Sequence, residues 1–492
     1  MSGQHKTWWG KTLWLWSLAA VISLLAVGCG AISSPQPASL THIVVLYTND
    51  EHGWMATDEK RGGAAGMLER WRSEEGYTAD GPFLVLSGGD NWTGPALSTW
   101  FEGASMVEVM NLMGYEATAI GNHEFDFGIA GLQQREAEAE FAFLAANVLD
   151  TATGAPADFA LPYIVVEVNG LNVGILGLAS QHTPQTTMPT HISGLEFTDY
   201  APALRDAALK ARDDGAEVLI LISHLCGDEM QALIPTLQAL GIGMIGGGHC
   251  HERIGRVTNG VALVEAGWQM AAYGRVDLFV EPESSEIQRL TVALKSNPPG
   301  QVDSAVAQVV ATWQAELDDA LEVPIGYTRD GLSRESAALH NLVTDAWLEA
   351  YPADIAMSNA GGFRQGIDPG EITLADVVSV LPFDNVLIDV ALTGEQVIAS
   401  YMHGTRRPAV AGLQRSGGRY FVAGEPLDPE RVYHVLVNDY MYAGGDGYRF
   451  AEYDPQAYHT GIDWRQPVVT WISSRHTSPA DPLENYLDFA PR

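Results

Sequence analysis

The feature that most constrains the fold is a series of short apolar runs, each of which stops abruptly at a polar cluster. Between Thr41 and about Val280 these runs are HIVVLYTND, FLVLSGGD, ATAIGNHE, VGILGLAS, VLILISHL and IGMIGGGH. Apolar runs of this length, separated by helix-like segments such as DYAPALRDAALKARDDG, are typical of buried strands in an α/β layer fold. Such sheets bind ligands beyond the carboxyl ends of their strands, which is where the polar clusters fall.

The length of the chain calls for more than one domain. It has 492 residues, whereas a single hydrophobic core stops growing at roughly 250–300 residues. We expect an export segment at 1–29, a tether at 30–40, a first domain at 41–282, a connector with a linker helix at 283–325, a second domain at 326–475 and a tail at 476–492. The polar tail is expected to be loosely attached.

The N-terminus has the pattern of a targeting segment. Lys6 and Lys11 precede an apolar run that is followed by AVGCGAISSPQPAS. The run, about 15 residues, fits the core of a signal peptide and is short for a membrane span. Because AVGC resembles a bacterial lipobox, we predict an exported lipoprotein anchored through Cys29, facing the periplasm or the cell exterior. An ordinary signal peptide and an uncleaved anchor are the alternatives.

The formal net charge of −34 limits the partners of this chain. Such a field repels nucleic acid and anionic lipid, so we expect no nucleic-acid partner and membrane contact only through the lipid anchor. It also repels a phosphorylated substrate. An anion-binding site in this protein would therefore need strong local cations, either metal ions or clustered arginines.

The polar clusters share one kind of chemistry. Their members are Asp50, His52, Asp90, Asn122, His123, His224, His249 and His251. Each cluster alone could be a turn, but together imidazoles and carboxylates suit Zn, Mn or Fe. The set is larger than one catalytic metal needs and suits two divalent ions sharing a bridging carboxylate. Asp90 is the best candidate bridge, because the two glycines before it let the backbone approach closely.

The motifs YTNDEHG, GGD, GNHEFDFG, ISH and GGHCH together resemble the calcineurin-like metallophosphoesterases. More narrowly they resemble the secreted 5′-nucleotidase family, which includes UDP-sugar hydrolases. The resemblance implies a four-layer sandwich of two mixed β-sheets flanked by helices, followed by a second α/β domain for nucleotide specificity. It implies one metal held by Asp50, His52 and His251, another by Asn122, His224 and His249, and Asp90 as the bridge.

Two further residues of GNHEFDFG receive catalytic roles from the resemblance. His123 would face the scissile phosphate and be oriented by Asp126. An imidazolium there could stabilise charge on the phosphate or protonate the leaving oxygen. Glu124 between them is predicted to be a helix N-terminal or turn residue.

The C-terminal half contains SNAGGFRQG, LPFDN and NDYMYAGGDGY. Without context their aromatic residues would be core residues and their Asp a turn residue. The resemblance implies instead that Phe383 and Tyr440 sandwich a nucleobase by stacking, and that Asp446 binds ribose. The remaining candidates for substrate contact are Asn359, Arg364, Asn385, Arg329 and Arg334.

The predicted reaction is hydrolysis of nucleoside 5′-monophosphates to nucleoside and phosphate. Alternatives are a 2′,3′-cyclic nucleotide phosphodiesterase, a UDP-sugar or NAD hydrolase and, from another class, a non-catalytic nucleotide-binding lipoprotein.

Apart from Cys29, the sequence contains only two cysteines, Cys226 and Cys250, which is too few for a disulfide framework. We expect them to be small filler residues, with a disulfide between them as the alternative.

Overall fold

The computed structural model describes residues 40–404 and 406–492. The predicted export segment, most of the tether and Cys29 lie outside this range. Within the described range, none of the helices combines the length and apolar character that a membrane crossing requires.

The first sheet has six strands and begins with the first apolar run. In spatial order the strands are Ile287–Ser296, Ala272–Val280, Thr41–Thr48, Phe83–Ser87, Tyr115–Ala119 and Ala142–Leu144. Thr41–Thr48 pairs in parallel with Phe83–Ser87 and antiparallel with Ala272–Val280. The sheet is therefore mixed, with its parallel part built from the runs that end in polar clusters.

The second sheet also has six strands. Their spatial order is Arg253–Thr258, Val261–Ala266, Ile242–Gly246, Val218–Ser223, Leu171–Leu178 and Tyr163–Val168. The central strand Val218–Ser223 is buried at every residue, because it is covered on both faces, as its unbroken apolar sequence predicts. The pairs at the two edges of the sheet are antiparallel.

The two sheets pack face to face around one apolar layer, which includes Ile43, Val45, Ile175 and Ile220. Helices cover their outer faces. The helices of this region are Gly63–Glu74, Ala96–Thr99, Ala104–Met113, Gly128–Glu138, Thr183–Thr186, Tyr200–Asp213 and Gly227–Leu240. The predicted layered α/β sandwich with mixed sheets is confirmed.

The C-terminal region has its own mixed sheet, with strands Ala409–Ala411, Ile355–Ser358, Val432–Asn438, Val386–Thr393 and Tyr458–Asp463. Two shorter sheets lie in the same region: Pro324–Thr328 pairs with Gly370–Thr373, and a three-stranded sheet consists of Leu413–Ser416, Arg419–Val422 and Glu425–Pro426. A further pair, Val148–Asp150 with Leu195–Phe197, belongs to the N-terminal half. The helices of the C-terminal region are Ala337–Ala350, Leu374–Val380, Gly394–Tyr401, Asp439–Tyr442, Phe450–Tyr453 and Gln466–Ser474. Separate apolar clusters, one around Trp347 and one around Val390, show that this region has a core of its own.

The predicted linker helix is present as Ser304–Leu321, and the Asp303 side chain caps it by accepting from Ala305 N and Val306 N. Two other expectations were wrong. Residues 287–296, placed in the connector, form an edge strand of the first sheet. The tail is docked rather than loose: Leu483 is fully buried and the Arg492 guanidinium pairs with Asp345, so its few apolar residues contribute to the core of the C-terminal region.

Candidate active site

The strand ends bring the predicted ligand residues to one place. Asp50 and His52 follow Thr41–Thr48, Asp90 follows Phe83–Ser87, and Asn122 follows Tyr115–Ala119. From the second sheet, His224 follows Val218–Ser223, while His249 and His251 follow Ile242–Gly246. The carboxyl ends of both sheets meet at the same edge of the sandwich, which explains why residues 200 positions apart converge.

One group of side chains centres on Asp50. Its carboxylate Oδ1 lies 3.3 Å from His251 Nε2 and 3.9 Å from His52 Nε2. The two imidazole Nε2 atoms lie 3.3 Å apart. Three potential ligand atoms within 4.8 Å of one another can hold a single cation.

A second group centres on Asp90, whose Oδ2 lies 3.0 Å from His224 Nε2. The ligand atoms of Asp90, His224 and His249 also lie within 4.8 Å of one another. Asn122 joins this group, because its Oδ1 lies 3.0 Å from His249 Nδ1. His52, Asp90 and His123 form a third such set, which places Asp90 between the two groups.

The donor atoms fit divalent cations. His224 Nδ1 donates to the Gly88 carbonyl at 2.8 Å, so its buried Nε2 is left to face the Asp90 carboxylate, whose Oδ2 lies 3.0 Å away. Two electron-rich atoms in contact are stabilised by a positive charge between them. Burial, which alone lowers the pKa of His224, is outweighed by Asp90, Asp50 and Glu124, which raise it to about 10. The carboxylates around His224 Nε2 therefore favour a positive charge at this position.

The other donors have the protonation states that metal ligands need. Burial and the guanidinium of Arg364 hold the pKa of His52 well below its usual value. Burial and His224 lower the pKa of His249 to about 4. Burial alone would raise the pKa of Asp90, but His224 and His123 hold it well below its usual range. Neutral imidazoles and an ionised carboxylate therefore face each other.

The loops that carry these residues have unusual backbone conformations. Asp50, His52, Asp90, His249 and His251 all have positive φ angles, between 46° and 72°. Non-glycine residues seldom adopt this region, and runs of such conformations are typical of functional sites. Before Asp90, Gly89 has φ 87°, and a Cβ there would lie 2.7 Å from the Ala119 carbonyl oxygen. The predicted need for glycine ahead of the bridge is thus a real steric one.

Glu124 has a larger role than the turn residue that the sequence suggested. It is fully buried, and its carboxylate accepts from the backbone N–H groups of Asp90, Asn91 and Gly121. Burial and the charge of Asp90 raise its pKa to about 7. Glu124 thus ties the loop of Asp90 to the loop of Asn122, and only these contacts in the folded chain reveal its role.

The predicted catalytic pair is assembled. His123 Nδ1 lies 2.7 Å from Asp126 Oδ2, and the His123 backbone N–H donates to Asp90 Oδ1 at 2.8 Å. Burial lowers the pKa of His123, but Asp126 and Asp90 outweigh it, and the net shift is upward. The pairing fixes the ring through Nδ1 and leaves Nε2 for a substrate.

The C-terminal region closes over this group and encloses a cavity of about 500 Å³. Arg364 Nη2 lies 3.2 Å from ring nitrogens of His52. The ring of Phe383 stacks on that of His123, with centroids 5.8 Å apart. Asn359, Asn385, Tyr440 and Asp446 also line the cavity. Both predicted aromatic residues are therefore in the pocket rather than in a core.

Asp446 is held in place by its neighbours. Its carboxylate accepts from Asn359 Nδ2 at 2.8 Å and from the Tyr440 hydroxyl at 2.8 Å. The Tyr440 hydroxyl also lies 3.2 Å from the Gln185 carbonyl of the N-terminal half. Tyr440 therefore links the two halves of the molecule at the cavity.

Two predicted arginines lie elsewhere. Arg329 is exposed, and its backbone N–H donates to Glu484, because the docked tail holds this loop away from the cavity. Arg334 donates from Nε to the Phe363 carbonyl at 2.7 Å and lies over the Trp268 ring. Neither lines the cavity. Arg334 instead supports the segment that carries Arg364 and the indole that stacks on His251.

The sequence prediction missed one wall of the cavity. Residues 186–188, Thr190 and His191 line it, and they follow the apolar run VGILGLAS. That run ends in a polar cluster like the others, so the signal was present. This cluster differs from the others in containing few of the usual metal ligands.

The two remaining cysteines were predicted to be small fillers, and this is wrong. Cys226 and Cys250 form a disulfide, with their Cα atoms 5.2 Å apart. The strands before them, Val218–Ser223 and Ile242–Gly246, are parallel neighbours. Their carboxyl ends therefore place the two cysteines side by side.

Comparisons with known proteins point to the 5′-nucleotidases. Residues 314–422 and 403–453 match the model of the 5′-nucleotidase C-terminal domain family. The chain is 26% identical to a 5′-nucleotidase of Vibrio cholerae, over 94% of this chain and 96% of that protein. It is 27% identical to the protein UshA of Escherichia coli, over 89% and 92% of the two chains.

Solved structures show the same fold. A 5′-nucleotidase precursor from Thermus thermophilus superposes with a TM-score of 0.75 at 24% identity, covering 89% of this chain and 97% of the other. The sulfate thiohydrolase SoxB of Thermus thermophilus superposes with a TM-score of 0.68 at 20% identity, covering 90% and 95%. The chain thus has the fold of these solved structures, and its relatives mark it as a hydrolase. More narrowly, its resemblance to the 5′-nucleotidases is confirmed.

Proposed function

We propose that this chain hydrolyses nucleoside 5′-monophosphates to nucleoside and phosphate, with two divalent metal ions. The observation that carries the proposal is the cavity itself. Its lining combines the Asp and His groups and His123 with Phe383, Tyr440 and Asp446, and the two sets meet where Phe383 stacks on His123. A phosphate beside the first set, the metal end, and a base beside the second set, the nucleoside end, describe a nucleotide.

Asp50, His52 and His251 would hold one ion, and Asn122, His224 and His249 the other, with Asp90 between them. Bound there, such ions activate water and neutralise charge on the phosphoryl oxygens. The His123 ring, fixed through Nδ1 by Asp126, presents Nε2 to the phosphate or to the leaving oxygen. The carboxylate that raises the pKa of His123 favours the imidazolium needed for either role.

The other end of the cavity would select the nucleoside. A base between the rings of Phe383 and Tyr440 gains roughly 1–3 kcal/mol by stacking. The Asp446 carboxylate, held by Asn359 and Tyr440, is an acceptor for ribose hydroxyls. Arg364 provides a planar, permanently charged donor between the two ends.

The charge of the cavity favours a monophosphate over a UDP-sugar or NAD. Among the described residues lining it, Arg364 is the one Arg or Lys. The carboxylates lining it are Asp90, Glu102, Asp126, Asp384, Asp439 and Asp446. A second phosphate group would lie among carboxylates without a cation, since Arg329 and Arg334 lie outside the cavity.

We also propose that the chain is exported and anchored through Cys29.

The test is hydrolysis by the purified chain with Mn²⁺ of AMP, UDP-glucose, NAD and a 2′,3′-cyclic nucleotide, with and without a chelator. Phosphate release measures turnover of AMP, and chromatography of the nucleotide products measures turnover of the other three. We expect release from AMP that the chelator abolishes. Turnover of UDP-glucose in preference to AMP would be consistent with the proposed metal site but would contradict the proposed substrate. Nucleotide binding without turnover of any ester would favour the binding lipoprotein.

A further inference from the structure

The disulfide joins two of the loops that form the candidate metal site. Cys226 follows His224 by two residues and begins the helix Gly227–Leu240. Cys250 lies between His249 and His251. The bond therefore joins the loop of one predicted ligand to the loop that carries two others.

The loop around Cys250 needs an external restraint. His249 and His251, on either side of Cys250, both have left-handed backbone conformations, with φ 72° and 56°. Such conformations persist only where the surrounding structure enforces them. Apart from the disulfide, the ties to the loop of Cys226 include the bonds from Gly248 N to the Leu225 carbonyl and from Gly227 N to Glu252.

The disulfide is also accessible. Cys250 is exposed and Cys226 is half-buried, so a reductant can reach the bond from solvent. Disulfides persist in oxidising compartments and are rare in the reducing cytoplasm. A chain that is exported would thus acquire this restraint only after export.

We propose that the Cys226–Cys250 disulfide positions the His249–His251 loop for metal binding, so that tight metal binding requires the oxidised form. The inference rests on the proposed metal site. Reduction by a phosphine in water breaks the S–S bond: phosphorus gives up two electrons and takes the oxygen of a water molecule, and the two protons of that water complete two protein thiols. The freed loop would then hold His249 and His251 less well. Groups that orient metal ligands typically change metal affinity by about 10- to 100-fold.

The experiment is a Mn²⁺ binding isotherm for the full chain in three forms: oxidised, reduced with a phosphine, and the double variant Cys226→Ser, Cys250→Ser. Mass spectrometry after alkylation confirms the redox state of the two cysteines. We expect a Kd that is about 10- to 100-fold weaker in the reduced form and in the variant. The phosphine should not weaken binding further in the variant, and excess Mn²⁺ should restore kcat in both.

Each outcome separates this inference from the proposed function. Equal Kd values in the three forms, within twofold, overturn the inference and leave the nucleotidase standing, even where the variant unfolds at a lower temperature. An oxidised chain that binds no Mn²⁺ overturns both. If the double variant does not fold, the reduced wild-type chain with an unchanged circular dichroism spectrum decides the question.

Discussion

The two ends of the cavity are built in different ways. At the metal end, Asp50, Asp90 and His224 are at most 2% exposed, and the strained loops of the candidate ligands are held by Glu124 and by the disulfide. At the nucleoside end, the side chain of Asp446 is held by hydrogen bonds from Asn359 and Tyr440. Ligands held through the backbone of their loops suit a reaction common to many phosphate esters, whereas side chains that hold one another suit recognition of one leaving group.

The largest loss of activity is expected from His123→Ala, at the metal end. Loss of a positioned acid–base group lowers kcat by roughly 10²–10⁴-fold. Because this residue acts at the phosphate, the loss should be the same for AMP and for ribose 5-phosphate, which lacks a base. Steady-state kinetics on both substrates measure it. A loss of kcat with AMP alone would indicate that His123 acts on the nucleoside rather than at the phosphate.

Arg364→Ala should weaken transition-state binding by about 1.5–3 kcal/mol, the range for hydrogen bonds to charged groups. Its guanidinium reaches His52 at the metal end and lies over Phe383, so kcat/KM should fall for both substrates. Arg329→Ala is the matched control: the side chain is exposed and outside the cavity, so kcat/KM should stay within twofold. An equal loss in both variants would contradict this placement.

Tyr440→Ala should raise KM for AMP by the loss of stacking, about 1–3 kcal/mol or roughly 5- to 150-fold. Ribose 5-phosphate should be much less affected. Tyr440→Phe keeps the ring and removes only the hydroxyl that holds Asp446, so its effect on KM for AMP should be smaller. If the phenylalanine variant is as impaired as the alanine variant, the hydroxyl matters more than the ring.

Glu124→Gln should lower activity by roughly 10- to 100-fold, the usual cost of removing a partner that orients metal-binding residues. An amide has one acceptor oxygen where the carboxylate uses two for three backbone N–H groups. Raising the Mn²⁺ concentration should recover part of the loss, as read from activity against metal concentration. Glu136→Gln, on the exposed face of Gly128–Glu138, is the control and should behave as wild type.

The sequence by itself determined the layered α/β fold and the candidate residues at the strand ends. These signals are local: a buried parallel strand is a continuous apolar run, and the residues that follow it must lie at the edge of the sheet. His123 and Asp126 are three residues apart, so one turn of chain brings them together. Resemblance to a known family supplied the nucleoside end.

Only the tertiary structure decided which side chains reach the cavity. From the sequence, Arg364, Arg329 and Arg334 are equally candidates for substrate contact. In the folded chain the docked tail holds the loop of Arg329 away from the cavity. Arg334 donates to the Phe363 carbonyl and does not line the cavity. Glu124 and the disulfide depend on contacts between segments more than 20 residues apart, which no local pattern encodes. The burial and charge around a side chain depend on residues from distant parts of the chain. The residues that position the candidate metal ligands could therefore be identified only in the folded structure.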